Sequence, residues 1–271
     1  MMSHSPAASD DRAERHQHHL KRPVHAQPTS EQPVMTDYRP ERYAFRFPNV
    51  FVNHIWSGRL PPLVGRKYEI STRGRCGGMA FASLDFYHLG ARVPSLSSTD
   101  FSPSGVPPDG HPLADYIYAR QLHSMLTRVR GVYDGVRYLR WSGQTTTTLI
   151  AKTTAEEKKV IASLNRGQPV ALGLIKATSM RLKAQGANHQ VVCYGYRTAA
   201  SGHVEFYIYD PNEPFQASPN HDSAALLSRV DGFKRSEFPF QVTRHRQTDR
   251  WRGFFVVRYQ PMQPDPATIH T

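Results

Sequence analysis

The chain contains two cysteines, and the first, Cys76, stands in "TRGRCGGMAFASLDFY" directly before two glycines and a run of helical periodicity. A thiol attacks a carbonyl carbon as its thiolate, and at an ordinary pKa of about 8.5 only a few per cent is ionised near pH 7. A helix N-terminus offers an adjacent anion about 0.3–1 kcal/mol, less than one pK unit at about 1.4 kcal/mol per unit. An imidazolium must therefore do most of the lowering, and it can later hand its proton to a leaving group. Among the 14 histidines, His189 has the setting for this, because it follows the glycine-containing "KAQGAN" and opens the apolar, strand-like "QVVCYGY". The second ring nitrogen needs an acceptor that fixes the tautomer. The segment "VEFYIYDPNEP" returns as a hairpin partner toward the same sheet edge and supplies Asp210, with Asn212 as a second candidate.

Positioning these groups requires a helix under the cysteine and a sheet under the other two. Met79, Ala80, Ala82, Ser83, Phe86 and Tyr87 recur three and four apart and predict a helix that stops near Gly90, with Cys76 at its N-terminus. The aromatic and β-branched "YAFRFPNVFVNHIW" before it reads as an extended, packed entry segment. Residues 91–110 are rich in Pro and Ser and are expected to form a rim or lid. A second helix is expected in "HPLADYIYARQLHSMLTRV", with Pro112 in its first turn. A third is expected in "TTAEEKKVIASLNRG", begun by a capping box of Thr153 with Glu156 or Thr154 with Glu157 and stopped by Gly167. Beyond Gly167 the period shortens to two: "PVALGLI", "HQVVCYGY" and "VEFYIYD" read as strands, the last two joined by "RTAASGH", and "GFFVVRYQ" as a closing strand. Helices followed by antiparallel strands make an α+β layout.

Composition sets the limits. The chain has 271 residues, and its hydrophobic fraction of 39% suffices for a core. Residues 1–36 lack apolar periodicity and are expected to be a disordered tail, in which His16, His18, His19 and His25 have no fixed geometry for a metal. Residues 37–260 form the expected domain, and 261–271 a flexible C-terminal tail. No membrane-spanning or secretory segment is recognisable, so the expected address is the cytoplasm. Thirty-four Lys and Arg against 22 Asp and Glu give a net charge of +12, which suits an acidic partner, although no nucleic-acid motif accompanies it. Arg128, Arg130, Arg137 and Arg140, with Arg244, Arg246, Arg250 and Arg252, read as two solvated basic runs or an anion-binding surface. No phosphate loop or dinucleotide fingerprint is present, and the chemistry of the three groups requires neither a cofactor nor a metal. Cys193, four residues after His189, is expected to pack in the core.

The segments "RCGGMAFASLDFY", "NHQVVCYGY" and "FYIYDPN", in that order, resemble the papain-like cysteine peptidase superfamily, especially its bacterial branch of leader-peptide-cleaving peptidases of bacteriocin export. The resemblance implies a helical half packed on an antiparallel half, with Cys76 as nucleophile, His189 as general base and then acid, and Asp210 as the orienting group. It further implies a peptide or protein substrate and cleavage or deamidation of an amide through a thioester. Gly77 and Gly78, which allow close backbone approach, and Asn188 are expected at the substrate. The family's oxyanion-holding glutamine, about six residues before the nucleophile, is replaced here by Ile70, which leaves Ser71, Thr72 or a neighbouring amide as second donor beside the Cys76 N–H. The competing expectation is a catalytically inactive papain-like fold that binds an acidic partner through its basic surface.

Overall fold

The computed structural model describes residues 32–59, 67–129, 132–216, 225–244 and 247–271, together with residue 1. His16, His18, His19 and His25 lie outside the described residues, as do Arg130 and Arg246. The chain opens with the short strand β1 (Val34–Met35) and helix α1 (Pro40–Tyr43), then a hairpin of β2 (Val52–Arg59) and β3 (Lys67–Arg73). Helices α2 (Cys76–Leu89) and α3 (Pro112–Leu126) follow. A small pair, β4 (Arg128–Val129) with β5 (Val132–Tyr133), leads into α4 (Asp134–Ser142) and α5 (Thr146–Leu164). The sheet strands come next: β6 (Val170–Ile175), β7 (His189–Thr198), β8 (Val204–Tyr209), β9 (Ala225–Arg229), β10 (Phe240–Arg244), β11 (Gln247–Trp251) and β12 (Gly253–Val256). A last short helix, α6 (Pro266–Ile269), closes the described chain.

The sheet runs β11-β10-β9-β8-β7-β6-β12 with antiparallel neighbours, and β1 adds to β7. It curls into a half-barrel, and with the helices it makes a mixed α+β fold. Among the described residues, no helix is long and apolar enough to cross a membrane.

Helix α2 is central because it is buried on every side: each residue from Gly77 to Phe86 is enclosed. An all-round apolar helix must be covered on all faces, and α3 and β7 cover this one. Its sequence allows a very close approach. A Cβ on Gly78 would lie 2.0 Å from the Ile117 carbonyl oxygen of α3, so only glycine lets the two backbones meet there. The helix stops, as expected, at Gly90, whose φ of +72° is the left-handed cap that glycine adopts without strain.

The third expected helix begins earlier than its sequence suggests. Thr145 is the N-cap, its side chain accepting the Thr148 N–H at 3.3 Å, so neither expected capping box forms. Thr153 and Glu156 have another task. They face β12, where Thr153 Oγ1 accepts the Phe254 N–H at 3.1 Å and Glu156 Oε2 accepts the Val256 N–H at 2.9 Å. Polar side chains on the buried face of a helix thus satisfy an edge strand's unpaired backbone donors. Helix α4 and strands β9 to β11 are short elements for which the sequence raised no expectation.

Both ends of the described chain make contacts with the body of the fold. Strand β1 lies within the segment assigned to the tail, with Val34 opposite Tyr196. Near the C-terminal end the buried Asp85 accepts the Met262 N–H at 2.9 Å and the Tyr259 hydroxyl at 2.8 Å, and Thr268 is buried. The strap holds because Asp85 keeps Arg120 as a buried ion-pair partner at 2.6 Å.

Candidate active site

Cys76 is the first residue of α2, and Arg75 before it has no side-chain cap of its own. The turn is held from outside instead, by Asn49, whose Oδ1 accepts the Arg75 N–H. The Arg75 side chain is buried, donates to Asp109 at 2.6 Å and to the Ala114 carbonyl at 3.0 Å, and so ties the 91–110 loop beside the thiol. Cys76 itself is partly exposed and stands on the wall of a cleft of about 310 Å³.

His189 opens β7 opposite Leu174 of β6, and Asp210 follows the last residue of β8, whose Tyr209 pairs with Val192. Antiparallel return therefore delivers both side chains to the same end of the sheet. His189 Nε2 meets Asp210 Oδ1 at 2.6 Å, which leaves Nδ1 for the sulfur, and the imidazole and the thiol act on each other electrostatically. The His189 ring stacks on Trp251 at 6.0 Å, with 19° between the planes.

The electrostatics follow from these contacts. Burial pulls the imidazolium down, but the Asp210 carboxylate and the Cys76 thiolate outweigh it and push His189 up to about 10. Burial pushes the Cys76 thiol up, yet the His189 charge and hydrogen bond, with the N–H groups of Gln190 and Gly77, bring it below its ordinary value. Burial likewise acts against the Asp210 carboxylate, and His189, Arg244 and the Asn212 N–H hold it far below the usual carboxylate range. All three effects favour a thiolate beside an imidazolium at neutral pH, the state a nucleophile needs.

Asn212, the alternative acceptor, lies one step further out. Its N–H binds Asp210 Oδ1 at 2.9 Å, and its Oδ1 accepts from Asn49 Nδ2 at 3.1 Å. The contacts close a circuit from Cys76 through His189, Asp210, Asn212 and Asn49 back to Arg75, so helix and sheet are registered around the thiol.

Other expectations change. Gly77 and Gly78 are buried against protein: a Cβ on Gly77 would meet Ser124 Oγ at 2.3 Å and Gln190 Nε2 at 2.7 Å. Their small size serves the packing of α3 and β7 on α2, and neither lines the cleft. Asn188 lines it, but its side chain is engaged, Oδ1 accepting from the Lys176 and Ala177 N–H groups and Nδ2 donating to Ser142 and Gln185. It braces the turn before His189. Ser71 and Thr72 lie in β3, and their side chains are outside the described residues. Cys193 is buried in the second core cluster with its thiol pushed well up by burial, as packing requires.

Arg244 and Arg252 are not on a solvated face. Arg244 is buried on Asp210, and Arg252 donates to the Ser142, Ala177 and Gln144 carbonyls, pinning the loops that border the cleft. A basic run with no apolar period carried no signal for this. Asn49 and Trp251 were equally unmarked. Among the described residues, no three His, Cys, Asp or Glu side chains are grouped to hold a metal ion.

The cleft wall combines Tyr118, Leu122, Met125, Tyr138 and Leu182 with the amides of Gln121, Gln185, Asn188 and Gln190. It contains no Lys, Arg, Asp or Glu among the described residues, although the chain carries a net +12. Compared with known proteins, the chain matches no family model, no curated protein and no solved structure.

Proposed function

We propose that this protein is a papain-like thiol enzyme acting on amide bonds. The observation that carries the reading is the His189 imidazole bound to Asp210 Oδ1 at 2.6 Å and, beside the same cleft, lowering the pKa of the Cys76 thiol. The nucleophile on a buried central helix, with its base and orienting acid on an antiparallel sheet, supports the papain-like layout.

In this mechanism the Cys76 thiolate attacks the carbonyl carbon, and the carbonyl π pair moves onto oxygen. Collapse of that intermediate breaks the C–N bond, and His189 gives its proton to the departing nitrogen. The acyl group remains as a thioester on Cys76. Neutral His189 then takes a proton from water, the resulting hydroxide attacks the thioester, and the acid is released with the thiolate restored. Asp210 keeps Nε2 protonated and stabilises the imidazolium without itself changing protonation. Away from the Cys76–His189 pair the cleft wall is uncharged and largely apolar, which favours a peptide with an uncharged side chain beside the scissile bond, since a charge placed there would lose its hydration without a partner.

The test is acylation. Incubation with p-nitrophenyl acetate should place an acetyl group on Cys76, read by mass spectrometry of the Cys76 peptide, and neither Cys76→Ala nor His189→Ala should acquire it there at a comparable rate. A wild-type protein left unacylated at Cys76 overturns the reading. Salt-dependent binding to an acidic partner, undiminished in Cys76→Ala, would then point to a binding module.

A further inference from the structure

The first turn of α2 disposes of nearly all its backbone donors. The Arg75 N–H goes to Asn49, the Gly77 N–H helps lower the Cys76 thiol pKa, and the Gly78 N–H goes to Gln121 Oε1 at 2.9 Å. The Met79 N–H closes the first helical bond on the Arg75 carbonyl at 2.8 Å. The Cys76 N–H is left over, with no acceptor among the described residues. A second donor lies nearby. Gln121, on the face of α3 turned to α2, lines the same cleft as Cys76. Its oxygen is committed to Gly78, two residues beyond the nucleophile, so the carboxamide is anchored, and its Nε2 has no partner among the described residues.

Tetrahedral intermediates of acyl transfer need such donors, fixed before the charge appears. Gln190 does not serve. Its Nε2 is given to Ser124 at 3.2 Å, and the atom left unpartnered and buried is Oε1, an acceptor that would repel an oxyanion. We propose that Gln121 is a catalytic residue: its Nε2–H and the Cys76 N–H hydrogen-bond the carbonyl oxygen that becomes negative when Cys76 attacks. The second donor then comes from α3 and not from the strand preceding the nucleophile. The inference rests on the thiol-enzyme reading.

Two reagents separate the roles. Iodoacetamide alkylates Cys76 by displacing iodide and forms no oxyanion. A peptide aldehyde ending in leucinal adds to the same sulfur: the S–C bond forms as the carbonyl π pair moves onto oxygen, no leaving group departs, and the oxygen, which can take the His189 proton, sits in the hole. In Gln121→Ala the alkylation rate should stay near that of wild type, while aldehyde affinity falls roughly 10²- to 10³-fold. Gln121→Glu keeps an oxygen for the Gly78 N–H and removes both amide donors, so it should restore any lost stability but not the aldehyde affinity. Undiminished aldehyde binding in Gln121→Ala, or its full recovery in Gln121→Glu, would make Gln121 only a helix cap. A wild-type thiol that reacts with neither reagent faster than free cysteine overturns the enzyme reading and this role with it.

Discussion

Arg244 directs two donors at one oxygen of Asp210, Nε at 3.0 Å and Nη2 at 2.5 Å, and leaves the other oxygen to His189 and the Asn212 N–H. The carboxylate is thereby held from both sides, and Arg244 is itself braced by Asp249 at 2.9 Å. A buried carboxylate with a single neutral or cationic partner can rotate or take up a proton. With an arginine fork on its outer oxygen it does neither.

Arg244 is accordingly a positioning residue for the triad. Arg244→Met should destabilise the protein by about 3–5 kcal/mol in urea unfolding, because a buried ion pair loses one partner. The readout specific to its role is pH. Arg244 helps hold Asp210 low, so without it the carboxylate protonates at higher pH, and the acid limb of Cys76 acylation should move upward. Arg244→Lys, which keeps the charge without the fork, should reverse part of that movement.

The thiol titration has a definite sign. Thiolate forms as pH rises through the Cys76 pKa, which His189 lowers against burial. In His189→Ala the burial effect remains and the opposing charge is gone, so the alkylation profile should move to higher pH. For a thiol that is mostly protonated at neutral pH, every further tenfold fall in its acidity slows iodoacetamide about tenfold. For wild-type acylation by an amide substrate, whose nitrogen must be protonated to leave, a second limb should appear near pH 10, where the imidazolium loses the proton it delivers.

The two glycines after the nucleophile should differ in tolerance. Gly78→Ala places a methyl group 2.0 Å from the backbone oxygen of Ile117, which cannot move without separating α2 from α3. Gly77→Ala meets side-chain ends, Ser124 Oγ at 2.3 Å and the Gln190 amide at 2.7 Å, which can turn aside. Thermal melts should show the larger loss for Gly78→Ala, at or above the roughly 1–3 kcal/mol usual for overpacking.

The cleft should discriminate by charge. Fluorogenic peptides with leucine or methionine next to the scissile carbonyl should be cleaved at least about tenfold better than those with aspartate or lysine. Leu182 is 80% exposed at the cleft and costs little stability to change. Leu182→Asp should therefore erode the preference for apolar peptides while the unfolding midpoint stays near that of wild type.

Much of the frame is legible in local patterns. Helix α2 is marked by its unbroken run of small and apolar residues and by Gly90, α3 by Pro112, and the β7–β8 hairpin by two alternating runs across a short loop. Short elements whose local period is carried by few residues escaped. Helix α4 is a nine-residue segment dense in arginine and aromatic residues, and β9 to β11 are five residues each. Thr153 and Glu156 imitate a capping box because the residue types that cap a helix also serve to bond an edge strand. Only the partner distinguishes the two uses, and the partner, β12, is about a hundred residues away.

Linear order alone placed a thiol at a helix start, an imidazole at a strand mouth and a carboxylate after the returning strand, because helical and strand periods and glycine stops are local properties of the chain. The tertiary structure decided which side chains stand around them. Arg244, Asn49, Trp251 and Gln121 reach the site from four separate elements, and their types occur equally on solvated surfaces. Burial and close approach turn an arginine into a carboxylate clamp and a helix-borne glutamine into an aimed amide, and both arise only when helix and sheet pack together.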